Sequence, residues 1–181
     1  RIVSSFPRSR FPDDIQPHVH SHLLGELVFR LGRTFRQESR ASQWKMDNFG
    51  HHLARDVRKQ KPDLLIAWSS FAREAFEEKC AGRQILIRDS THIEEQMEVL
   101  ASEYARWGIP FFIDRNTVYR ELAEYQMADE IIVLSELAKR SFVARGIAER
   151  KIRILRLGVD IERFKPRTQG LDLSAVLRIV Y

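Results

Sequence analysis

The stretch from Ala128 to Pro166 constrains the fold of this chain most, because its elements follow one another at the spacing of a βαβ unit. Residues 131–134 are a short apolar run rich in β-branched side chains, which is typical of a strand buried on both faces of a parallel sheet. Ser135 is then placed to cap a helix, and Gly146 can take the left-handed conformation that closes it. Because residues 152–155 form a second apolar run, the stretch predicts an α/β fold with a mostly parallel sheet.

The same stretch resembles the end of the N-terminal domain of family 4 glycosyltransferases, which have the GT-B fold. In that family an Ala-Asp pair opens a strand that ends in Ser, and a helix with Lys and Phe ends at Gly. A Lys-Ile strand then leads to a Gly-Val-Asp turn and a Phe-x-Pro linker. The residues that match this pattern are Ala128, Asp129, Ser135, Lys139, Phe142, Gly146, Lys151, Ile152, Gly158, Val159, Asp160, Phe164 and Pro166. Leu157 departs from it, since many members have Asn there.

The resemblance implies a glycosyltransferase that moves a sugar from a nucleotide-sugar donor to a glycan or lipid-linked acceptor, with retention. The resemblance also implies that the product belongs to a cell-envelope, exopolysaccharide or lipopolysaccharide-type glycan. Residues 1–166 are expected to form a Rossmann-like, three-layer acceptor domain whose first strand and glycine-rich turn precede Arg1. Residues 167–181 are expected to be the linker and first strand of the donor-binding domain. This segment alone is then expected to be inactive and to bind no cofactor or metal.

The composition disfavours several other classes of protein. No apolar run approaches the roughly 20 residues that a membrane-spanning helix needs. The single cysteine, Cys80, suits a reducing compartment and therefore the cytoplasm. There is no Gly-x-Gly-x-x-Gly fingerprint, Walker loop, zinc-binding Cys pair or Gly-x-Ser-x-Gly elbow. Dehydrogenases, NTPases, zinc modules and α/β-hydrolases are accordingly disfavoured.

The basic charge is concentrated near the N-terminus. Residues 1–60 hold 11 Lys and Arg against six Asp and Glu, whereas the remaining residues hold 19 of each. A localised surplus favours a particular anionic partner, and nucleic acid is disfavoured because stacking aromatics are not interleaved with the basic residues. His18, His20 and His22 have no Cys or carboxylate at ligand spacing, so a solvated loop is favoured over a metal site.

Residues 22–36 predict an amphipathic helix with an apolar stripe and the arginines Arg30, Arg33 and Arg36 around it. One interpretation is a core-facing helix with a basic solvent face. Another is a helix that lies on an anionic membrane, with its apolar residues in the headgroup region. A third is contact with another protein. The resemblance favours the membrane, since many related enzymes reach lipid-linked acceptors through a basic surface on this domain, and it implies a peripheral protein of the inner face of the plasma membrane.

Further helices and strands follow the same alternation. Ser42 is a candidate cap for a helix that Pro62 ends. Residues 63–68 predict a buried strand, after which Ser69 or Ser70 is expected to cap a helix that ends at Gly82. Residues 85–88 predict the next strand, and Thr91 and Glu94 form a capping box for the helix after it, which ends at Gly108. Residues 111–113 predict a short extended piece, and residues 114–127 predict a helix.

Candidate acceptor-binding residues follow two of these strands. Ser69 is expected at the carboxyl edge of the sheet, where open α/β folds bind ligands. The segment Arg88–Ile93 resembles an Arg-Gly-Ser-Thr-His-Ile segment of some family members, with Asp89 in place of Gly. The resemblance implies that Arg88, Ser90 and Thr91 contact the acceptor. Glu121, from a later helix, is added as a further candidate for acceptor binding.

Candidate catalytic and donor-side residues complete the hypothesis. Glycosyl transfer needs a group that takes the acceptor proton or aligns the acceptor, and His92 has the residue type and location for either role. Asp89 is a candidate to orient its ring. The alternative is a histidine that only bonds to the backbone. On the donor side, Ser135, Gly158 and Asp160 are expected at the hinge.

Two other functions stay open. One is a basic membrane-docking module. The other is a sugar-nucleotide epimerase with the same scaffold, since a fold does not fix a reaction.

Overall fold

The computed structural model describes residues 1–34, 38–112 and 114–165. Its strands and helices in chain order are β1 Ile2–Ser4, β2 Val19–Ser21, α1 Leu24–Thr34, α2 Glu38–Gln60, β3 Leu64–Trp68, α3 Arg73–Glu77, β4 Arg83–Arg88, α4 Ile93–Arg106, α5 Arg115–Met127, β5 Glu130–Val133, α6 Glu136–Ala144 and β6 Ile152–Ile154. Short 3-10 turns lie at Arg8–Arg10, Gln16–His18 and Glu149–Lys151. The predictions for Arg36, for Ile113 and for the linker and strand at 166–181 lie outside the described residues.

The larger sheet of the described residues has the strand order β3-β4-β5-β6, and each neighbouring pair is parallel. β1 and β2 pair with each other, also in parallel, as a separate two-stranded sheet. Helices connect successive strands of the larger sheet. The predicted α/β fold with a mostly parallel sheet is confirmed, and the architecture is consistent with a Rossmann-like three-layer domain.

The register aligns the carboxyl ends of the strands at one edge of the larger sheet. Trp68 lies beside Ile87, Arg88 beside Val133, and Val133 beside Ile154. The turns that follow β3, β4 and β5 therefore come together at the edge where open parallel sheets bind their ligands.

The hydrophobic core is built from the strands of the larger sheet and the helices that contact it. Leu86 and Ile131 from the strands, and Phe76, Tyr125 and Phe142 from α3, α5 and α6, are fully buried. Burying a side chain of this size stabilises the fold by about 1.5–3 kcal/mol. This core fixes α5 and α6 against the sheet and so determines which side chains reach its carboxyl edge.

The local signals around α5 and α6 are confirmed. The hydroxyl of Ser135 accepts a hydrogen bond from the backbone N–H of Ala138 at 3.1 Å and caps α6. Gly146 follows α6 with φ of +85°, and Gly108 follows α4 with φ of +63°. Gly146 thus takes the left-handed conformation that the sequence predicts, and Gly108, predicted as the end of its helix, takes it as well. Asp114 caps α5 through the backbone N–H of Asn116 at 3.0 Å.

Two predicted N-caps are wrong. Ser42 lies inside α2, since the four residues before it, from Glu38 onwards, are already helical. Thr91 does not cap α4: the N-cap is His92, whose Nδ1 accepts a hydrogen bond from the backbone N–H of Glu94 at 3.4 Å. The imidazole takes the place of the hydroxyl one residue later than the capping-box pattern predicts.

The predicted ends of α3 are also wrong. Neither Ser69 nor Ser70 caps it, since its N-cap is Ala72 and makes no side-chain cap. The helix also ends well before Gly82. A Cβ at Gly82 would lie 2.7 Å from the backbone oxygen of Asp63, so this glycine permits close contact between two backbone segments.

The apolar stripe of α1 does not face the core. Its exposed apolar residues, with the residue that precedes the helix, are Leu23, Leu24, Leu27 and Leu31. The buried residue of α1 is Gly25, where a Cβ would lie 3.1 Å from Lys45 Cγ on α2. Lys45 Nζ also lies 2.7 Å from Glu26 Oε2. The helix therefore packs on α2 through Gly25, Glu26 and Phe29 and presents leucines to solvent.

The histidine-rich segment is more structured than a solvated loop. β2 pairs His20 with Val3, and the ring of His22 stacks on that of His52 with 4.5 Å between centroids. Burial lowers the pKa of His22 below its ordinary value, and the neighbouring His52 acts in the same direction.

Candidate functional site

An apolar groove of about 820 Å³ lies between β1 and β3. β3 is an edge strand of the described sheet, and its Leu64, Ile66 and Trp68 are exposed in this groove. Phe49 and Phe71 line it further, with their rings edge to face and 5.5 Å between centroids. The groove thus runs along β3 towards the carboxyl edge of the sheet.

The turn after β3 is held in an unusual backbone conformation. Ser70 has φ of 74°, which non-glycine residues rarely adopt. All three polar atoms of Ser70 are bonded to side chains of α5. Its N–H donates to Glu124 Oε2 at 2.7 Å and its hydroxyl to Glu121 Oε1 at 2.6 Å, while its carbonyl accepts from Arg120 Nε at 2.6 Å. One turn of α5 therefore fixes this residue completely.

Glu124 supplies the cap that α3 lacks. Its carboxylate is fully buried and also accepts hydrogen bonds from the backbone N–H groups of Ala72 at 2.9 Å and Arg73 at 3.0 Å. Burial raises the pKa of Glu124 to about 7, against the opposing effect of the hydrogen bonds from Ser70 and Ala72 and of the Arg120 charge. The carboxylate thus serves three donors at a cost in desolvation.

Arg120 connects this turn to α2 and α3. Its Nη1 donates to Asp47 Oδ1 at 2.9 Å and to Glu74 Oε1 at 2.7 Å, and its Nη2 pairs with the same Glu74 carboxylate. Gly50 lies against this pair, since a Cβ there would overlap Glu74 Oε2. The guanidinium is buried and bidentate, the geometry that holds a carboxylate most specifically.

Arg88, at the end of β4, forms the other half of the polar cluster. Its Nε lies 3.2 Å from Glu121 Oε2, and its Nη2 donates to Gln96 Oε1 at 2.5 Å. Tyr125 donates its hydroxyl to Glu121 Oε2 at 2.6 Å. Three of the predicted acceptor-binding residues, Ser69, Arg88 and Glu121, therefore converge at one edge of the sheet.

One polar atom in this cluster has capacity for a further hydrogen bond. Ser69 Oγ is buried and finds no hydrogen-bond partner among the described residues, whereas Arg88 Nε, which also makes no hydrogen bond, is ion-paired with Glu121. Trp68 pairs with Ile87, so the residues that follow, Ser69 and Arg88, are neighbours across the two strands. Buried polar groups are normally satisfied, and an unsatisfied hydroxyl at the carboxyl edge of the sheet calls for an explanation.

His92 lies in the core beside this cluster, and its residue is only 2% exposed. Its ring packs on Tyr125 and Phe142 with 5.0 Å between centroids in each case, and its backbone N–H donates to Ser141 Oγ at 2.8 Å. Burial lowers the pKa of His92, although the Glu94 carboxylate 3.8 Å from Nδ1 opposes this. Burial therefore favours the neutral imidazole, and the two ring contacts hold it in one orientation.

The other candidates of this segment lie nearer the surface. Asp89 is exposed, and its Oδ1 lies 3.5 Å from Arg88 Nη1. The carboxylate beside the ring of His92 is that of Glu94, so Asp89 does not take the orienting place that the sequence suggests. Ser90 and Thr91 are half-buried in the turn between β4 and α4.

The residues predicted at the hinge lie at two separate places in the structure. Ser135 caps α6, at the carboxyl edge of β5. Gly158 and Asp160 are exposed after β6, and Asp160 Oδ1 accepts hydrogen bonds from the N–H groups of Glu162 at 3.0 Å and Arg163 at 3.2 Å. Several exposed apolar residues lie in the same segment: Leu155, Leu157, Val159, Ile161 and Phe164.

Sequence reasoning missed Ser70, Arg120, Glu124 and Tyr125 as parts of the cluster. The signal that points to them is the spacing of Arg120, Glu121 and Glu124, which places three charged side chains on one face of a helix. Charged side chains on a helix are usually solvated, so the sequence does not show that this face is buried against the turn after β3.

No protein-family model, curated protein or solved structure matches this chain. Within the described ranges, no helix has the length and apolar content needed to cross a membrane. The same ranges contain no group of three or more His, Cys, Asp or Glu side chains arranged to hold a metal ion.

Proposed function

We propose that this chain is the acceptor-side part of a glycosyltransferase that transfers a sugar from a nucleotide-sugar to a glycan or lipid-linked acceptor. The observation that carries the proposal is the convergence of Ser69, Arg88 and Glu121 at the carboxyl edge of a parallel sheet. These residues come from three separate segments and were selected from sequence as acceptor contacts. The resemblance of residues 128–166 to family 4 glycosyltransferases supplies the reaction.

The chemistry of this edge suits a hydroxyl-bearing ligand. Ser69 Oγ can donate or accept, and Glu121 is already shared between two hydroxyl donors and Arg88. Sugar hydroxyls need such mixed donors and acceptors at fixed positions. The exposed Trp68 and the half-buried Phe71 of the groove add apolar surfaces for a sugar face or a lipid.

The buried ring of His92 favours alignment of the site over removal of the acceptor proton. As the N-cap of α4 it lies at the end of the turn that follows Arg88 and carries Ser90 and Thr91. In the complete enzyme, His92→Ala is expected to lower turnover at least tenfold with the fold intact. A loss of at least this size is expected both when a catalytic group is removed and when the reacting groups are misplaced. Unchanged turnover would remove His92 from the mechanism.

The reaction is tested by incubating the complete protein with a panel of nucleotide-sugars, with and without a lipid-linked glycan acceptor, and measuring released nucleotide and glycosylated product. Nucleotide release that depends on the acceptor supports a transferase. Nucleotide release without acceptor supports the epimerase on the same scaffold. Neither activity with any donor would argue against both.

A second candidate function, docking to an anionic membrane surface, is favoured by α1. Leu27 is 56% exposed and lies on one helical stripe with Leu24 and Leu31, and the exposed Arg30 and Arg33 belong to the same helix. Leucines at headgroup depth and arginines that meet anionic lipid are the features of interfacial helices. This function and sugar transfer to a lipid-linked acceptor are compatible.

Membrane docking is tested by sedimentation with phosphatidylcholine vesicles that contain or lack phosphatidylglycerol. Replacing Arg30, Arg33 and Arg36 by Gln is expected to weaken binding on the order of a hundredfold, since each basic residue near the surface contributes about 1 kcal/mol. Leu27→Gln should also weaken it, whereas Leu137→Gln, at an equally exposed leucine on α6, should not. Binding that is indifferent to lipid charge and to salt would exclude this function.

A further inference from the structure

The turn after β3 is fixed more completely than its position as a connection requires. Arg120, Glu121 and Glu124 bond the carbonyl, hydroxyl and N–H of Ser70, and this set is called the α5 clamp. Turns at the surface of α/β domains commonly satisfy such groups with water. Here three buried charged side chains do so, although burying them costs desolvation free energy that a surface turn does not require.

The clamped residue is also strained. A left-handed φ at a serine persists only where the surrounding structure imposes it, and such residues concentrate at ligand sites. Removing any one partner leaves a buried charge or a backbone group unpaired, so the clamp works as a unit.

The clamped turn lies where a ligand in the groove meets the sheet edge. Trp68 precedes it and Phe71 follows it, and both line the groove. Ser69, inside the turn, carries the hydroxyl without a partner and lies beside Arg88. Fixing Ser70 therefore fixes the end wall of the groove and the direction of the free hydroxyl together.

We infer that Arg120, Glu121 and Glu124 are positioning residues, and that the α5 clamp holds the turn at Ser69 ready to bind a hydroxyl of the acceptor sugar. Ser69 Oγ is the group that contacts this hydroxyl, and Trp68 and Phe71 are the walls beside it. The inference rests on the proposed function, because that function supplies the sugar. The clamp itself rests on the hydrogen bonds alone.

Preorganisation of this kind affects acceptor binding more than donor binding. A loosened turn must be ordered each time the acceptor binds. The affinity for the acceptor therefore falls in proportion to the fraction of molecules that are in the binding-competent state. The donor, bound elsewhere in the proposed arrangement, is unaffected. A clamp that serves the fold alone has no reason to distinguish the two substrates.

The test combines hydrogen exchange with kinetics in the complete protein, using Glu124→Gln and Ser70→Gly. Glu124→Gln keeps the shape but replaces one acceptor oxygen by a donor, so amide exchange at Ser70, Ala72 and Arg73 is expected to rise at least tenfold. The KM for the lipid-linked acceptor should rise at least fivefold, with the donor KM within twofold. Ser70→Gly relieves the strain but loses the bond to Glu121, and an intermediate rise in acceptor KM is expected.

Glu103→Gln, which removes a carboxylate from the exposed end of α4, is the matched control and should change neither exchange nor KM. Faster exchange with an unchanged acceptor KM would overturn the positioning role and leave a structural one. Unchanged exchange in Glu124→Gln would overturn the clamp. If the unsubstituted protein transfers no sugar, the proposed function and the sugar ligand fall, while the exchange data still decide whether the clamp exists.

Discussion

Glu124→Gln should remove a specific pH dependence from the stability of the fold. Burial raises the pKa of Glu124 from 4.5 to about 7. Between these values the folded protein binds a proton that the unfolded chain has released. The stability that Glu124 contributes through this proton should therefore be fully present below about pH 4.5 and should be lost as the pH rises through about 7. A shift of this size corresponds to a loss on the order of 3 kcal/mol, since each pKa unit is worth about 1.4 kcal/mol.

The assay is urea unfolding of the protein and of Glu124→Gln at intervals from pH 4.5 to 8. The disturbed hydrogen bonds of the glutamine variant are expected to lower its unfolding free energy by roughly 1–3 kcal/mol, and this part of the difference does not depend on pH. Superimposed on that offset, the difference in unfolding free energy between the two proteins should shrink as the pH rises towards 8.

Two histidines contribute with the opposite sign. Burial lowers the pKa values of His22 and His92, so their contribution to stability is lost as the pH falls below their ordinary value near 6.5. Because both histidines are present in both proteins, they cancel in the difference. Parallel stability curves for the two proteins across this range would refute the raised pKa of the buried Glu124 carboxyl.

The remaining predictions concern packing and capping. Gly50→Ala should destabilise the fold by about 1–3 kcal/mol, because its Cβ overlaps the Glu74 carboxylate and disturbs the pair with Arg120; an unchanged urea midpoint would contradict this. Ser135→Ala should cost about 1 kcal/mol through loss of the α6 cap, and Ser135→Thr should largely restore it in the same measurement. Phe76→Ala should cost about 3–5 kcal/mol, since the ring is fully buried; a loss below about 1 kcal/mol by calorimetry would show that the site collapses or is not packed as described.

The elements whose signals are local could be predicted from the sequence. The apolar run before Ser135, the serine itself and Gly146 gave the right strand, cap and helix end, because each works through its own backbone. The parallel arrangement followed from the alternation of such units. The carboxyl edge of the sheet could then be assigned as the site of Ser69 and Arg88.

What could not be predicted depends on contacts between distant segments. The cap of α3 comes from Glu124, roughly fifty residues away in the chain, so neither Ser69 nor Ser70 was needed for it. His92 replaced Thr91 as the cap of α4, because its ring fits against Tyr125 and Phe142, a fit that only the folded core defines. The exposure of the leucines of α1 could not be predicted either, since an apolar stripe does not determine which side of a helix packs on its neighbours.

The central claim, that the carboxyl edge of β3 and β4 binds the acceptor, is tested most directly by Ser69→Ala in the complete protein. The hydroxyl has no partner among the described residues, so its removal should leave the unfolding free energy within about 0.5 kcal/mol or raise it. Loss of one hydrogen bond to the acceptor should nevertheless lower kcat/KM for the acceptor by about tenfold, and Ser102→Ala on α4 should not. An unchanged kcat/KM for the acceptor in a stably folded Ser69→Ala protein would contradict the claim.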